Sequence, residues 1–264
     1  MTVLGSLPYL NVKPLVYAFE NGQLPEGWSL TYAPPARLAE MLHKGEIIAA
    51  PVSSFEVLRS DDLAAVPDVC ISSRAAVKSV LLISRVPFQR IRTVALDDGS
   101  LTGAAMVRIL LAEKFGLLPD YHQADPEPNA MLHRSDAALL IGNPALQFRP
   151  VGLRTLDLGQ AWKELTGLPA VFALWAGRKD LLTPEVARSL IAARDLGVGN
   201  VAPIADLEAP RLGLTRLACR DYLRKSISFS LGDEELASLQ RFAELCLEHG
   251  LIERPGRVEF CDVV

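Results

Sequence analysis

Four times along the chain an apolar run gives way to small polar residues and then to a helix-forming stretch. This happens at Tyr9-Leu10-Asn11, at Ser53-Ser54, at Ser100-Leu101-Thr102 and at Asn143-Pro144. In an open α/β sheet such junctions lie beyond the carboxyl ends of the strands, where ligands bind. Each helix start presents backbone N–H groups without an intrahelical acceptor and carries a partial positive charge. Several of them facing one space make an anion-binding crevice. A carboxylate held there gains about 0.3–2 kcal/mol from a helix dipole and about 1.5–3 kcal/mol per charge-assisted hydrogen bond. Two or three such contacts approach the roughly 8 kcal/mol of a micromolar complex. Ser, Asp and Asn cap helices in any α/β protein, so a single junction is more often structural. Four of them, in a chain with a domain crossing, read as a ligand site between domains.

Other chemistries find little support. The sequence has no GxxxxGK[ST], HExxH, GxSxG or EF-hand loop, which removes the common nucleotide, metalloprotease and hydrolase readings. Residues 197–202 (GVGNVA) formally satisfy GxGxx[GA], but they follow a helix-forming stretch where a dinucleotide fingerprint follows a strand, so a loop is expected. His43, His122, His133 and His249 lack ligand spacing, and Cys70, Cys219, Cys246 and Cys261 form no CxxC pair. No metal site is expected, and Cys219 and Cys246 read as core residues.

The elements that must carry the junctions follow from pattern. The chain has 264 residues, half of them hydrophobic and 22% charged, enough for one large or two ordinary domains with real cores. Its formal charge of −4 offers no broad positive field for nucleic acid or an anionic membrane, so a small molecule is the expected partner. The first fourteen residues lack the basic and apolar regions of an export signal, and a cytoplasmic protein is expected. Short apolar runs at 3–7, 28–32, 47–52, 79–84, 93–96, 137–141 and 171–176 alternate with amphipathic stretches, which is an α/β pattern. Ser53 is placed to cap the amide of Glu56 with Glu56 reaching back, and Ser100 to cap a long helix stopped by Gly116. The connection at 87–92 is taken as the domain crossing. It divides the chain into a first domain of residues 1–86 plus 174–264 and an inserted second domain of 87–173.

Several stretches, in this order, resemble one family. Residues 158–175 (LGQAWKELTGLPAVFALW) are similar to LGxxWxxxTGLPxVFAxW, and residues 5–15 (GSLPYLNVKPL) to GxxxYxNxxPL. With 51–56 (PVSSFE), 71–73 (ISS), 77–80 (VKSV), Ser100-Leu101-Thr102 and 136–143 (DAALLIGN), nearly the whole chain resembles the chorismate dehydratases of the futalosine route to menaquinone. Ile48 and Asn143 stand where that family usually has Asp, and Phe55-Glu56 where Glu-Tyr is commoner. The resemblance implies a two-domain type II periplasmic-binding-protein-like fold, each domain a mixed sheet flanked by helices with the ligand cleft between them.

It further implies loss of water from chorismate to give 3-[(1-carboxyvinyl)oxy]benzoate, without cofactor or metal. Formation of an aromatic ring drives that reaction, so the protein has mainly to orient a flexible dianion. By resemblance, Asn11 meets the reacting part of the substrate, and Ser53, Ser54, Ser100, Leu101 and Thr102 clamp carboxylates. Ser72, Ser79 and Asn143 support them, and Tyr9 and Phe172 form apolar walls or core. None of these is a competent base unaided; on the reaction that the resemblance implies, the substrate's own side-chain carboxylate is the hypothesised proton acceptor, whose identity the sequence leaves open. The rival readings are a non-catalytic cytoplasmic binding protein for a small carboxylate, and the related 1,4-dihydroxy-6-naphthoate synthase, for which a cleft histidine is expected. The oligomeric state is left open.

Overall fold

The computed structural model describes residues 2–263. Its strands are β1 (Thr2–Ser6), β2 (Trp28–Tyr32), β3 (Ala49–Ser53), β4 (Leu63–Ser73), β5 (Val80–Ser84), β6 (Thr93–Asp97), β7 (Asp120–Ala124), β8 (Ala137–Ile141), β9 (Arg154–Asp157), β10 (Ala170–Arg178) and β11 (Ser228–Ser230). Its helices are α1 (Lys13–Glu20), α2 (Pro35–His43), α3 (Ser54–Arg59), α4 (Leu101–Phe115), α5 (Pro128–Arg134), α6 (Gly142–Gln147), α7 (Leu158–Thr166), α8 (Pro184–Gly199), α9 (Val201–Leu212), α10 (Arg216–Asp221) and α11 (Asp233–Glu248). A 3₁₀ turn, Leu10–Val12, leads into α1, and a π-helical turn, Tyr222–Ser226, continues α10.

The strands form two sheets, in the orders β11-β4-β10-β3-β1-β2 and β7-β6-β8-β5-β9. In the first, β1 runs parallel to β2 and β3, while β10 is antiparallel to β3 and β4. In the second, β6 is parallel to β7 and β8, while β5 is antiparallel to β8 and β9. Parallel neighbours cannot be joined by a tight turn, and α1, α2, α4 and α5 supply the crossovers. Each sheet is therefore mixed and flanked by helices, the architecture that the resemblance implied. Among the described residues, no helix is long and apolar enough to cross a membrane.

Val80–Ser84, which the sequence division assigned to the first domain, pairs with β8 and β9 of the second sheet. The chain leaves the first sheet earlier, between β4 and β5, and the 87–92 connection stays within the second. A strand such as VLLIS, apolar but for its last residue and buried along its whole length, has no alternating pattern to say which sheet takes it. The strand β4 escaped the pattern reading because Pro67 and Asp68 interrupt it. Asp68 has a positive φ of 62°, and the pairing with β10 shifts register between Leu174 and Ala176.

One carboxylate ties the two crossings together. Asp157 caps α7, its Oδ1 accepting from the amides of Gly159 at 3.0 Å and Gln160 at 3.1 Å. The same side chain accepts from Val77 N–H at 2.9 Å and Lys78 N–H at 2.7 Å on the outgoing segment. Behind it, the indole N–H of fully buried Trp162 donates to Ser238 Oγ at 2.9 Å, and its ring meets Phe242 edge-on at 5.7 Å. The stretch 158–175, the longest element of the family resemblance, is thus mostly the return crossing and its core.

The GVGNVA stretch is helical and not a loop. Gly197 and Gly199 close α8, and a Cβ at Gly197 would stand 1.8 Å from the carbonyl oxygen of Pro14. The glycine lets α1 and α8 touch.

Candidate functional site

The loops that follow β1, β3, β6 and β8 all reach one cavity between the sheets, which encloses about 820 Å³ of empty space including its mouth. Leu7, Tyr9, Asn11 and Val12 come from the first loop, Ser53 and Glu56 from the second, the 98–103 segment from the third, and Ile141 and Gly142 from the fourth. Phe172 and Ala173 on β10, Ile71 on β4 and Val80 on β5 form the floor, and Pro35, Ala36 and Ala39 of α2 close one side. The four junctions singled out in the sequence therefore converge.

They do not all point their side chains inward. Tyr9, Asn11, Ser53, Ser100, Leu101, Thr102 and Phe172 line the cavity; Ser54, Ser72, Ser79 and Asn143 do not. Buried Ser54 donates to the carbonyl of Val171 at 2.9 Å, and Ser72 to that of Ser228 at 3.4 Å. Ser79 accepts from the hydroxyl of buried Tyr222 at 2.7 Å. Asn143 bonds the loop at Pro8 and Leu10. Each of these four polar groups is satisfied by the protein itself.

The helix starts differ in the same way. Ser53 Oγ accepts from Glu56 N–H at 3.1 Å, as its sequence position indicates. Glu56 does not reach back. Its buried carboxylate binds Arg59, with Nε at 2.7 Å, and lies 3.1 Å from His43 Nε2, whose Nδ1 lies 2.8 Å from Asp62. Burial pulls His43 down, but the flanking Asp62 and Glu56 carboxylates leave its pKa raised. The amide before it in α3, Phe55 N–H, donates across the cleft to Thr102 Oγ1 at 3.1 Å, so this terminus is largely occupied.

The start of α4 is more open. Ser100 precedes the helix without making a side-chain capping bond, and a Cβ at Gly103 would stand 2.3 Å from Ser100 Oγ. Gly103 makes room for that hydroxyl. The amides of Leu101, Thr102 and Gly103, in the first turn of a fifteen-residue helix, lie beyond the reach of intrahelical acceptors.

Asn11 is the exposed nerve of the cavity: its Oδ1 is buried and without a hydrogen-bond partner. Buried polar atoms are rarely left so without a ligand or water to meet them. Sequence reasoning missed Asp98, Gly99, Glu56 and Gly142, which face the cavity beside the expected residues. Asp98-Gly99 is legible as a turn next to Ser100; nothing in the sequence marks the wall formed by α2. No lysine, arginine or histidine lines the cavity among the described residues. Just behind it, burial raises the pKa of Asp97 against the opposing bond from Gly99 N–H, with Asp98 adding to the rise. Burial and Asp97 likewise raise that of Tyr9.

Two mixed sheets around a shared cavity define the class of periplasmic-binding-protein folds. A periplasmic aliphatic sulphonate binding protein of Escherichia coli superposes with a TM-score of 0.68 at 17% identity, covering 97% of this chain and 94% of that one. A protein of Archaeoglobus fulgidus reaches a TM-score of 0.74 at 17% identity, covering 95% and 98%. The profile of a family described as menaquinone biosynthesis matches residues 2–248, and the chain belongs to that family. It is 32% identical over 261 residues to a chorismate dehydratase of Thermus thermophilus, covering 92% of this chain and 94% of that one. A chorismate dehydratase of Campylobacter jejuni is 25% identical over 254 residues, covering 92% and 97%.

Proposed function

We propose that this protein is a chorismate dehydratase, eliminating water from chorismate to give 3-[(1-carboxyvinyl)oxy]benzoate. Membership of the menaquinone-biosynthesis family and the two curated relatives support the reaction. The observation that carries the site assignment is the unpartnered Asn11 Oδ1 in the cavity wall. An amide oxygen accepts and does not donate, and chorismate as a dianion has a single O–H donor, the ring hydroxyl that departs. Asn11 therefore holds the leaving group.

The amides of Leu101, Thr102 and Gly103, with the Ser100 hydroxyl, take one carboxylate at the start of α4. The hydroxyl hydrogen of Ser53 is free to donate to the substrate from the facing wall. Tyr9 and Phe172 are the flat sides between which the ring lies. The enolpyruvyl carboxylate removes the hydrogen from the ether-bearing carbon, that C–H pair moves into the ring, and the C–O bond to the hydroxyl breaks. The departing oxygen takes up the proton and leaves as water, so no external base is consumed. The protein's contribution is orientation. Ser54, Ser72 and Ser79 act behind this set by holding β10, β11 and the crossing in place. The domain division follows the sheets, with crossings at 74–79 and 158–169, and the substrate is a metabolite met in the cytoplasm.

Purified protein mixed with chorismate, with no metal or cofactor added, is expected to convert it to the enolpyruvyl benzoate in an ultraviolet assay. Binding without turnover would transfer the chain to the receptor reading. Asn11→Ala is expected to lower kcat by about a hundredfold or more while its melting temperature stays close to that of the native protein. Unchanged kcat would remove Asn11 from the mechanism.

A further inference from the structure

The turn that carries Asn11 has no cap of its own. Leu10–Val12 is a single 3₁₀ turn preceded by Tyr9, which makes no side-chain capping bond. The cap comes from the other sheet: Leu10 N–H donates to Asn143 Oδ1 at 3.0 Å, and Asn143 Nδ2 donates to the carbonyl of Pro8 at 2.9 Å. The two partners bracket Tyr9, which also meets the preceding residue. Gly142 has a φ of 62°, and a Cβ there would stand 3.1 Å from the Tyr9 ring. Gly142 N–H in turn donates to the carbonyl of Ser79 at 2.8 Å, which anchors the pair to the start of β5.

From this juxtaposition we infer that Asn143 is a positioning residue: a two-bond latch that fixes the Asn11-bearing turn to the second sheet. It acts through Leu10 and not on the substrate, since it does not line the cavity. A carboxamide supplies the donor for Pro8 and the acceptor for Leu10 at any pH, whereas a carboxyl group does so only when protonated. Approach of the second sheet and orientation of the Asn11-bearing turn are then coupled through one side chain. The kinetic consequence rests on the dehydratase reading, while the latch itself rests on the two bonds alone.

The test compares native protein with Asn143→Ala and Asn143→Asp. Losing the latch lets Asn11 wander, so kcat for chorismate is expected to fall about tenfold to hundredfold in Asn143→Ala and in the ionised form of Asn143→Asp, with KM changed by less than about threefold. Aspartate keeps the acceptor for Leu10 but sets a charged oxygen against the Pro8 carbonyl, which raises its pKa above the ordinary carboxylate range. Once protonated it donates again. The Asp-to-native ratio of kcat should therefore climb as pH drops from about 8 to about 5, while the Ala-to-native ratio stays flat. A rise in KM at constant kcat would make Asn143 a substrate contact and overturn the proposal. So would a lower melting temperature with both constants unchanged. If native protein fails to turn over chorismate, the dehydratase reading fails and the latch is judged by small-angle scattering of ligand-free protein. An expanded Asn143→Ala beside a compact native chain upholds it, and equal dimensions overturn it.

Discussion

The polar side chains around the cavity divide by whether the protein has already satisfied them. Ser54, Ser72 and Ser79 have their partners, on β10, β11 and Tyr222, and are part of the frame. Asn11 Oδ1 has none. Asp97 is a different kind of residue, a buried carboxyl whose acceptor role toward Gly99 an amide could equally fill. Its folded-state pKa is raised, chiefly by burial, so the folded chain binds this proton more tightly than the unfolded chain does. Stability from this group is full below the ordinary carboxylate pKa and is lost as pH rises through the raised value. Asp97→Asn is therefore expected to melt higher than the native protein at neutral pH, with the advantage vanishing on acidification. Melting curves across pH check it, and a pH-independent difference would refute the buried-charge account.

At the scale of elements, the two sheets are joined through contacts that have little chemical flavour in the sequence. Asp157 looks like an ordinary helix cap, yet it also receives the amides of Val77 and Lys78 from the opposite crossing. Asp157→Ala removes the acceptor for four N–H groups and is expected to cost about 2 kcal/mol or more in a denaturant titration. Asp157→Asn, which retains one acceptor oxygen, should cost less. The glycines of α8 make a paired test. Gly197→Ala would drive a methyl into the Pro14 carbonyl and part α1 from α8, at a cost of about 1–3 kcal/mol. Gly199→Ala meets nothing within 4 Å and should be neutral or stabilising by up to about 1 kcal/mol. Equal effects at the two positions would mean that the helices do not touch there.

For the molecule as a whole, the proposed reaction sets a doubly charged substrate in a cavity that no lysine, arginine or histidine lines among the described residues, in a chain of net charge −4. On that proposal the general field repels the substrate and short-range hydrogen bonds hold it. Added salt screens the first and barely alters the second. Raising ionic strength from about 0.05 M to about 0.5 M should leave KM for chorismate flat or lower it. A KM that climbs steeply with salt would reveal a cationic clamp that the cavity lining does not contain.

Much of the cavity lining was legible in the sequence because strand-to-helix junctions are local. Tyr9, Asn11, Ser53 and the 100–102 turn announce themselves by residue type next to an apolar run, and parallel pairing of β1 with β3 and of β6 with β8 brings such ends to the same edge of a sheet. The motif resemblance likewise reported the fold before any coordinates. Which sheet takes Val80–Ser84, which serines turn outward to a neighbour, and that Asn143 reaches across to Pro8 and Leu10 were settled only by tertiary structure. Local sequence fixes a residue's backbone conformation and polarity. Its partner more than a hundred positions away is chosen by how the two sheets pack, and no local pattern records that choice.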